Sequence, residues 1–123
     1  MSSWWIDRKP RSVPRGWPLD VQPPGAEGWE ATAAAWLMDL LPEYRHYPTV
    51  REHPVVLAFI ARHVLAGAVE GARQGYRTTR TELRGLVSPP VIAAALGDFR
   101  NEGQRLSAAL RAVELVEQAL RGS

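Results

Sequence analysis

The sequence predicts an all-α fold: a long antiparallel helical hairpin, packed by a shorter N-terminal helix and preceded by an extended arm rich in Pro and Trp. Three observations predict it. Apolar residues recur at alternating steps of four and three through residues 92–120, which is the spacing of one helix face. A short break near Ser88 separates this helix from another long helical segment, so the two turn back on each other. Five prolines within residues 1–26 exclude helix there.

Length and composition are those of one soluble globular protein. The chain has 123 residues, of which 46% are apolar and 23% charged, and it has no cysteine. The lack of cysteine excludes disulfides and thiolate metal sites. The apolar runs are shorter than the ~20 residues that a membrane-spanning helix needs, and the N-terminus lacks the basic and apolar regions of a signal peptide. We therefore expect a cytoplasmic protein that does not bind a membrane.

Residues 1–26 combine their prolines with three tryptophans, Trp4, Trp5 and Trp17. The prolines favour extended backbone, whereas disordered linkers are poor in aromatic residues. We therefore expect Trp17 and Leu19 to anchor the second half of this arm on the helical part of the chain.

Residues 27–123 are expected to form one helical domain, whose first helix spans residues 27–41. Apolar residues fall on one face of this helix: Trp29, Ala33, Trp36, Leu37 and Leu40. Pro42 ends the helix, because proline pushes the residue before it out of helical backbone. Residues 42–53 then form a connection.

The second helix is predicted over residues 54–86, with Pro54 in its first turn. Its inward face is Leu57, Ala61, Val64, Leu65, Ala68, Ala72, Tyr76, Thr79, Leu83 and Leu86. The third helix is predicted over residues 89–121, after Ser88 as N-cap. Its inward face is a ladder of nine positions: Ile92, Leu96, Phe99, Gly103, Leu106, Leu110, Val113, Glu117 and Leu120.

The antiparallel register places large residues of one long helix opposite small residues of the other. It aligns Phe99 with Gly75, and Leu106 with Ala68, as close helix packing requires. It also places the small residues Gly103 and Ala72 opposite each other. The same register predicts two ion pairs across the hairpin, Asp98 with Arg77 and Glu102 with Arg73.

A hairpin covers only one side of each of its helices, so two apolar edges are expected to remain open. They are Val55, Phe59 and Ala66 on the second helix, and Leu115, Val116 and Ala119 on the third. Exposed apolar strips favour self-association, which predicts a homodimer. Glu117 is the one charge on the ladder. We expect it to extend toward solvent near the C-terminal end of the helix, to pair with Arg121 four residues on, or to pair with a group across the dimer interface.

Four arginines of the second helix, Arg73, Arg77, Arg80 and Arg84, are spaced four, three and four, and therefore share one helix face. We call them the arginine ridge. Such a ridge has the chemistry to lie along a phosphate backbone, and a solvated face paired with acids explains the same spacing. No recognition-helix, zinc-finger or RNA-binding signature accompanies it, so nucleic-acid binding is the alternative hypothesis.

The leading hypothesis is a small non-enzymatic protein–protein interaction module, such as a regulatory or adaptor subunit. Its partner-binding residues are expected in the arm, at Trp4, Trp5, Arg8, Arg11 and Arg15, together with one helix face. Trp and Arg are enriched among the residues that dominate binding energy at interfaces. In the alternative, the same basic arm assists the arginine ridge on nucleic acid.

No motif typical of catalysis, metal binding or cofactor binding is present. The conceivable metal ligands are His46, His53 and His63 with Glu43 and Glu52, and they lack the HExxH spacing. The serines lie in no nucleophile-elbow context. We therefore expect no enzyme activity, no metal and no cofactor.

Overall fold

Helices dominate the computed structural model of the chain, which describes residues 13–122. In order they are α1 (Trp29–Leu40), a 3-10 helix (Pro42–His46), α2 (Pro48–Glu52), α3 (Pro54–Leu83) and α4 (Pro89–Arg121). Within residues 13–122 there is no β-strand, only an isolated bridge between Arg84 and Val87. The long helices α3 and α4 pack against each other as an antiparallel hairpin. The predicted all-α fold is confirmed.

Helix α4 has its predicted bounds, whereas α3 ends at Leu83 instead of residue 86. The physical reason is Gly85, whose φ of 82° lies in the left-handed region that glycine adopts readily. The N–H groups of Leu86 and Val87 both bond to the Leu83 carbonyl and close the turn. Leu86, which was predicted to face inward, is 74% exposed in this turn, so that prediction is wrong.

The N-terminal helix α1 is slightly shorter than its predicted span of residues 27–41. It ends just before Pro42, as expected from the effect of proline on the preceding residue. The connection predicted over residues 42–53 contains the 3-10 helix and α2. Each of these short helices starts at a proline, which fits a first helical turn.

The chain falls into two compact units. One holds the described residues up to Ala61 and those from Arg111 onward, and the other is Arg62–Leu110. We call the first the body unit and the second the hairpin unit. The body unit contains the arm, α1, α2, the start of α3 and the end of α4, whereas the hairpin unit contains the rest of the two long helices and their turn.

The body unit has its core where α1, the start of α3 and the end of α4 meet. The largest fully buried side chains of the described residues are Leu37 of α1, Leu57 of α3, and Val113 and Val116 of α4. Each of these helices therefore contributes an apolar face to one core, as their spacing predicted.

The edge of α4 that was expected to stay open is covered. Leu115 is 6% exposed and Val116 is fully buried, so the prediction for these two residues is wrong. The arm is one physical reason, because a Cβ on Gly16 would lie 3.4 Å from Arg111 Cγ and 3.6 Å from Leu115 Cδ1. On the corresponding edge of α3, Phe59 is 44% exposed, as predicted.

The arm is anchored by Trp17 and Val21. The Trp17 and Trp29 ring centroids lie 6.2 Å apart, and Trp17 Nε1 donates a hydrogen bond of 2.9 Å to the Val21 carbonyl. Val21 is 4% exposed, whereas Leu19 is fully exposed. The prediction of Trp17 as an anchor is confirmed and that of Leu19 is wrong, because the turn that the Trp17 hydrogen bond closes directs Val21 inward instead.

Glu117 pairs with Arg121, as one of the three sequence hypotheses predicted. Arg121 Nε and Nη2 lie 3.1 and 2.7 Å from Glu117 Oε2. The Glu117 residue is 4% exposed, whereas the Arg121 side chain is 56% exposed. The guanidinium thus covers the buried carboxylate from the solvent side.

The hairpin unit has the predicted register. A Cβ on Gly75 would overlap the Phe99 ring, and a Cβ on Gly103 would lie 3.8 Å from Ala72 Cβ. The buried side chains of this unit are Leu65, Val69, Ala72, Thr79, Leu96 and Leu106. The small residues of the seam, Ala72 and Gly75 on α3 and Gly103 on α4, therefore permit the close approach of the two helices.

Two residues of the predicted inward face of α3 lie at its edge. Val64 and Tyr76 are 38% and 40% exposed, whereas Val69, which was not predicted to face inward, is 7% exposed. The buried face of α3 is therefore rotated toward the side that carries Val69. Tyr76 lies at the border between the hairpin seam and solvent.

One helix of the described residues, α3, is long and apolar enough to cross a membrane by length and composition alone. Its most apolar segment has a mean hydropathy of 1.6, and 33% of that segment is buried inside the structure. Core helices of soluble proteins meet the same criterion.

Candidate functional site

The hairpin unit carries an open groove of about 520 Å³ along one side of the seam between α3 and α4. Its floor is formed by Val69 and Ala72 from α3, and by Phe99 and Gly103 from α4. The groove exists because Ala72 and Gly103 face each other and neither has a long side chain to fill the seam. An apolar depression of this kind is typical of a surface that binds another molecule.

Arginines border the groove on both sides. Arg73 and Arg77 line it from α3, and Arg100 lines it from α4, where Gln104 and Ser107 follow. The four-residue spacing places Arg73 and Arg77 on the same face of α3. Their side chains are 65% and 57% exposed, so the charged groups are accessible to a ligand.

Glu70 lies beside the two arginines of the α3 border. Arg73 Nη1 is 3.4 Å from Glu70 Oε1, and Arg77 Nη2 is 3.5 Å from Glu70 Oε2. Exposed pairs of this kind contribute at most about 1 kcal/mol each. Because one carboxylate is shared between two guanidinium groups, the α3 border keeps a net positive charge.

The pairings predicted across the hairpin, Asp98 with Arg77 and Glu102 with Arg73, are replaced by pairings within each helix. Arg77 and Arg73 bond to an acid of α3, as described above, and Glu102 accepts two hydrogen bonds from Arg105 of α4. The Arg105 hydrogen bonds lower the pKa of Glu102. The physical reason is that acid and arginine share one helix face, at a spacing of three residues or, for Glu70 and Arg77, of seven, and are therefore neighbours without crossing the seam.

Tyr76 of α3 and Arg100 of α4 interact across the groove that both of them line. Hydrogen bonding to Arg100 and the charge of Arg100, with a smaller effect of Arg80, lower the pKa of the Tyr76 hydroxyl.

Replacement of Arg100 by Gln is expected to raise the pKa of Tyr76 toward its ordinary value, because the charged donor is lost. The measurement is a spectrophotometric titration of tyrosinate in a background in which Tyr44 and Tyr47 are Phe. Arg105→Gln, which removes an arginine that bonds to a carboxylate instead, serves as the control and should leave the titration unchanged. An unaltered Tyr76 titration in the Arg100 variant would contradict the contact.

The lowered pKa of Tyr76 makes the folded chain more stable at high pH than at low pH. Because the pKa of Tyr76 is lower in the folded chain than in the unfolded chain, deprotonation of Tyr76 favours the folded state. The stabilisation is fully present only above the pKa of the unfolded chain, and it is lost as the pH falls through the lower pKa of Tyr76 in the folded chain.

The arginine ridge is exposed, as predicted, although only part of it lies on the helix. Arg73, Arg77 and Arg80 project from α3, whereas Arg84 follows the last residue of that helix and belongs to the turn. Two of the helical three border the groove. The ridge and the groove are therefore parts of one surface.

None of the described residues of the arm is among those that line the groove. Trp4, Trp5, Arg8 and Arg11 lie outside the described residues. Arg15 is exposed and belongs to the body unit. The conceivable metal ligands do not form a cluster either: among residues 13–122 no group of three or more His, Asp or Glu could hold a metal ion.

No model of a known protein family matches the chain, and no curated protein and no solved structure matches it significantly. The function is therefore argued from the geometry and chemistry of the groove.

Proposed function

We propose that this protein is a small non-enzymatic interaction module that binds another protein along the groove of its helical hairpin, as a regulatory or adaptor subunit. The observation that supports this proposal most strongly is the combination of an open apolar floor with arginines on both borders. Tyr76 and Phe99 add aromatic area next to these arginines. Aromatic residues and Arg are enriched among the residues that dominate binding energy at protein interfaces.

The hairpin architecture explains why this side is available for a partner. In the hairpin unit each long helix is covered by the other on one side only, and the groove lies along the uncovered side of the seam. A third helix seated there would bury the floor and the exposed ring of Tyr76, as a helix bound in a groove does. Removal of that apolar surface from water supplies the affinity.

Nucleic-acid binding by the arginine ridge is the second candidate function. The exposed run of Arg73, Arg77 and Arg80, with Arg84 in the turn, favours it. Glu70 argues against it, because this carboxylate lies within 3.5 Å of two of the ridge arginines and would face the phosphates. The two functions differ in salt dependence: phosphate binding weakens steeply with ionic strength, whereas binding through an apolar floor changes little.

A groove-filling substitution with a matched control tests the proposed function. In Gly103→Leu the added side chain is intended to fill the middle of the groove; its Cβ would be in ordinary contact with Ala72 Cβ at 3.8 Å, and circular dichroism checks that the variant is folded. Gly71→Leu adds the same side chain on α3 outside the groove, at a position with nothing within 4 Å. The tagged full-length wild type and both variants are used as baits in cells that produce the protein. Bound proteins are cross-linked to each bait, purified with it and identified by mass spectrometry.

We expect at least one protein to be retained by the wild type and by Gly71→Leu, and to fall at least tenfold with Gly103→Leu. Retention should survive nuclease treatment and raised salt. Equal capture by all three baits, or capture that nuclease abolishes, would contradict the proposal. A fourth bait that lacks residues 1–12 measures the contribution proposed for Trp4, Trp5, Arg8 and Arg11. A second copy of the chain among the captured proteins is the result expected of the proposed homodimer.

A further inference from the structure

We infer that the segment bound in the groove is a two-turn amphipathic helix whose apolar face is flanked by carboxylates at one end. This inference rests on the proposed function and specifies the chemistry of the partner. It is argued from the length of the groove, its open shape, and the position of its charges.

The length of the groove fits two turns of helix. The lining runs from Val69 to Arg77 on α3 and from Phe99 to Ser107 on α4. Eight steps along a helix correspond to about 12 Å, which is slightly more than two turns. An occupant helix therefore presents apolar anchors at i, i+3 or i+4, and i+7.

The open shape of the groove distinguishes a helix from a small ligand. Sites for small molecules enclose most of the surface of their ligand, whereas this groove is open to solvent along its length. Its floor is nevertheless apolar and is formed by small residues, Ala72 and Gly103, at its middle. A long occupant that leaves its outer face in water fits such a site.

The net positive charge of the hairpin unit favours an acidic partner. Residues 62–110 contain seven arginines against the four acids Glu70, Glu82, Asp98 and Glu102, a net charge of +3. Three of those arginines border the groove, and only Glu70 of the acids pairs with any of them. Charge complementarity of this kind fixes the orientation of a partner and excludes cationic competitors.

The charges are concentrated toward one end of the groove. In the antiparallel register, Arg77 and Arg100 lie at the end nearest the hairpin turn, whereas Ser107 lies at the opposite end, where the borders are uncharged. Arg100 lines this end of the groove together with Tyr76 and Phe99. A guanidinium bonds a carboxylate through two parallel hydrogen bonds, so the partner carries its Asp or Glu residues at the matching end of its helix.

The test is the selection of binders from a displayed library of helical peptides, with the full-length chain as the target. The library varies the anchor and flanking positions without a bias in charge. We expect the enriched peptides to carry apolar residues at i, i+3 or i+4, and i+7, with Asp or Glu clustered at one end. Enrichment of basic or uncharged flanks, or of proline-rich peptides, would overturn the inference.

The affinity of the most enriched peptide is then measured by fluorescence anisotropy against full-length variants. Arg73→Gln/Arg77→Gln/Arg100→Gln should weaken binding at least tenfold. Arg105→Gln, which removes an arginine outside the groove, should stay within twofold of the wild type. Equal binding by the triple variant overturns the inference, and circular dichroism confirms that each variant is folded.

Gly103→Leu separates this inference from the proposed function. If the enriched peptide lacks carboxylates and Gly103→Leu still abolishes its binding, the groove binds a helix and only the acidic partner is wrong. If the peptide binds Gly103→Leu as tightly as the wild type, the groove is not the binding surface and both proposals fail. Displacement of the peptide by single-stranded nucleic acid at equal concentration favours the second candidate function and also overturns the inference.

Discussion

Replacement of Trp29 by Ala is expected to lower the free energy of unfolding by about 3–5 kcal/mol, the usual cost of removing a buried Trp side chain. Trp29 is 4% exposed and is the first residue of α1. Its ring also packs against Trp17, with centroids 6.2 Å apart. The substitution therefore removes a core residue and the support of the arm together. Denaturant unfolding measures the effect.

The same variant should release the arm. The Trp17 indole N–H is bonded to the Val21 carbonyl, and loss of the Trp29 ring should increase its hydrogen exchange. Trp36→Ala is the control, because Trp36 is half-buried on the same helix and should cost less stability without affecting Trp17. An unchanged exchange rate of the Trp17 indole in Trp29→Ala would show that the arm is held by other contacts.

Replacement of Gly75 by Leu is expected to lower the free energy of unfolding by about 2–3 kcal/mol relative to Gly71→Leu, because overpacking a close helix contact has this cost. A Cβ on Gly75 would overlap the Phe99 ring, whereas a Cβ on Gly71 has nothing within 4 Å. Both variants gain the same helix propensity, about 0.5–1 kcal/mol. The difference between them therefore isolates the contact with Phe99.

A double-mutant cycle with Phe99→Ala tests this explanation. Removing the ring should cost the wild type stability, but it should cost the Gly75→Leu variant much less, because the overlap is relieved. The expected coupling energy is about 1–3 kcal/mol, as for residues in direct contact. Additive effects of the two substitutions would mean that the helices separate at this point, in contradiction of the observed register.

The fold could be predicted from the sequence because its determinants are periodic and local. The alternating spacing of residues such as Leu96, Leu106 and Val113 defines one helix face, and prolines mark the starts of both long helices. The register followed from pairs of large and small residues, Phe99 with Gly75 and Leu106 with Ala68, because bulk must alternate across a close helix contact.

The errors concern residues whose burial depends on irregular backbone. Leu19 and Leu86 are apolar residues in turns, and their exposure is decided by turn geometry, which periodicity does not contain. Leu115 and Val116 were expected to be exposed because the spacing of apolar residues in the arm and in α4 does not predict that the arm packs on this edge of α4.

The groove was not predicted from the sequence, because it arises where two small residues, Ala72 and Gly103, face each other. The sequence signal was available, since Gly103 interrupts a ladder of large residues and lies between Arg100 and Ser107 on its helix. The arginine ridge was identified correctly as an exposed surface. Its ion pairs were not, because partners on the same helix compete with partners across the seam.

The composition of the two units has a consequence for the order of folding. Every residue of the hairpin unit lies within a single continuous stretch, Arg62–Leu110, whereas the body unit requires residues from Arg111 onward to pack against those up to Ala61. Contacts between neighbours in the chain form quickly, and contacts between distant segments form late. We therefore expect the hairpin and its groove to form first, and the core that supports the arm to form later, when the two distant segments of the chain meet.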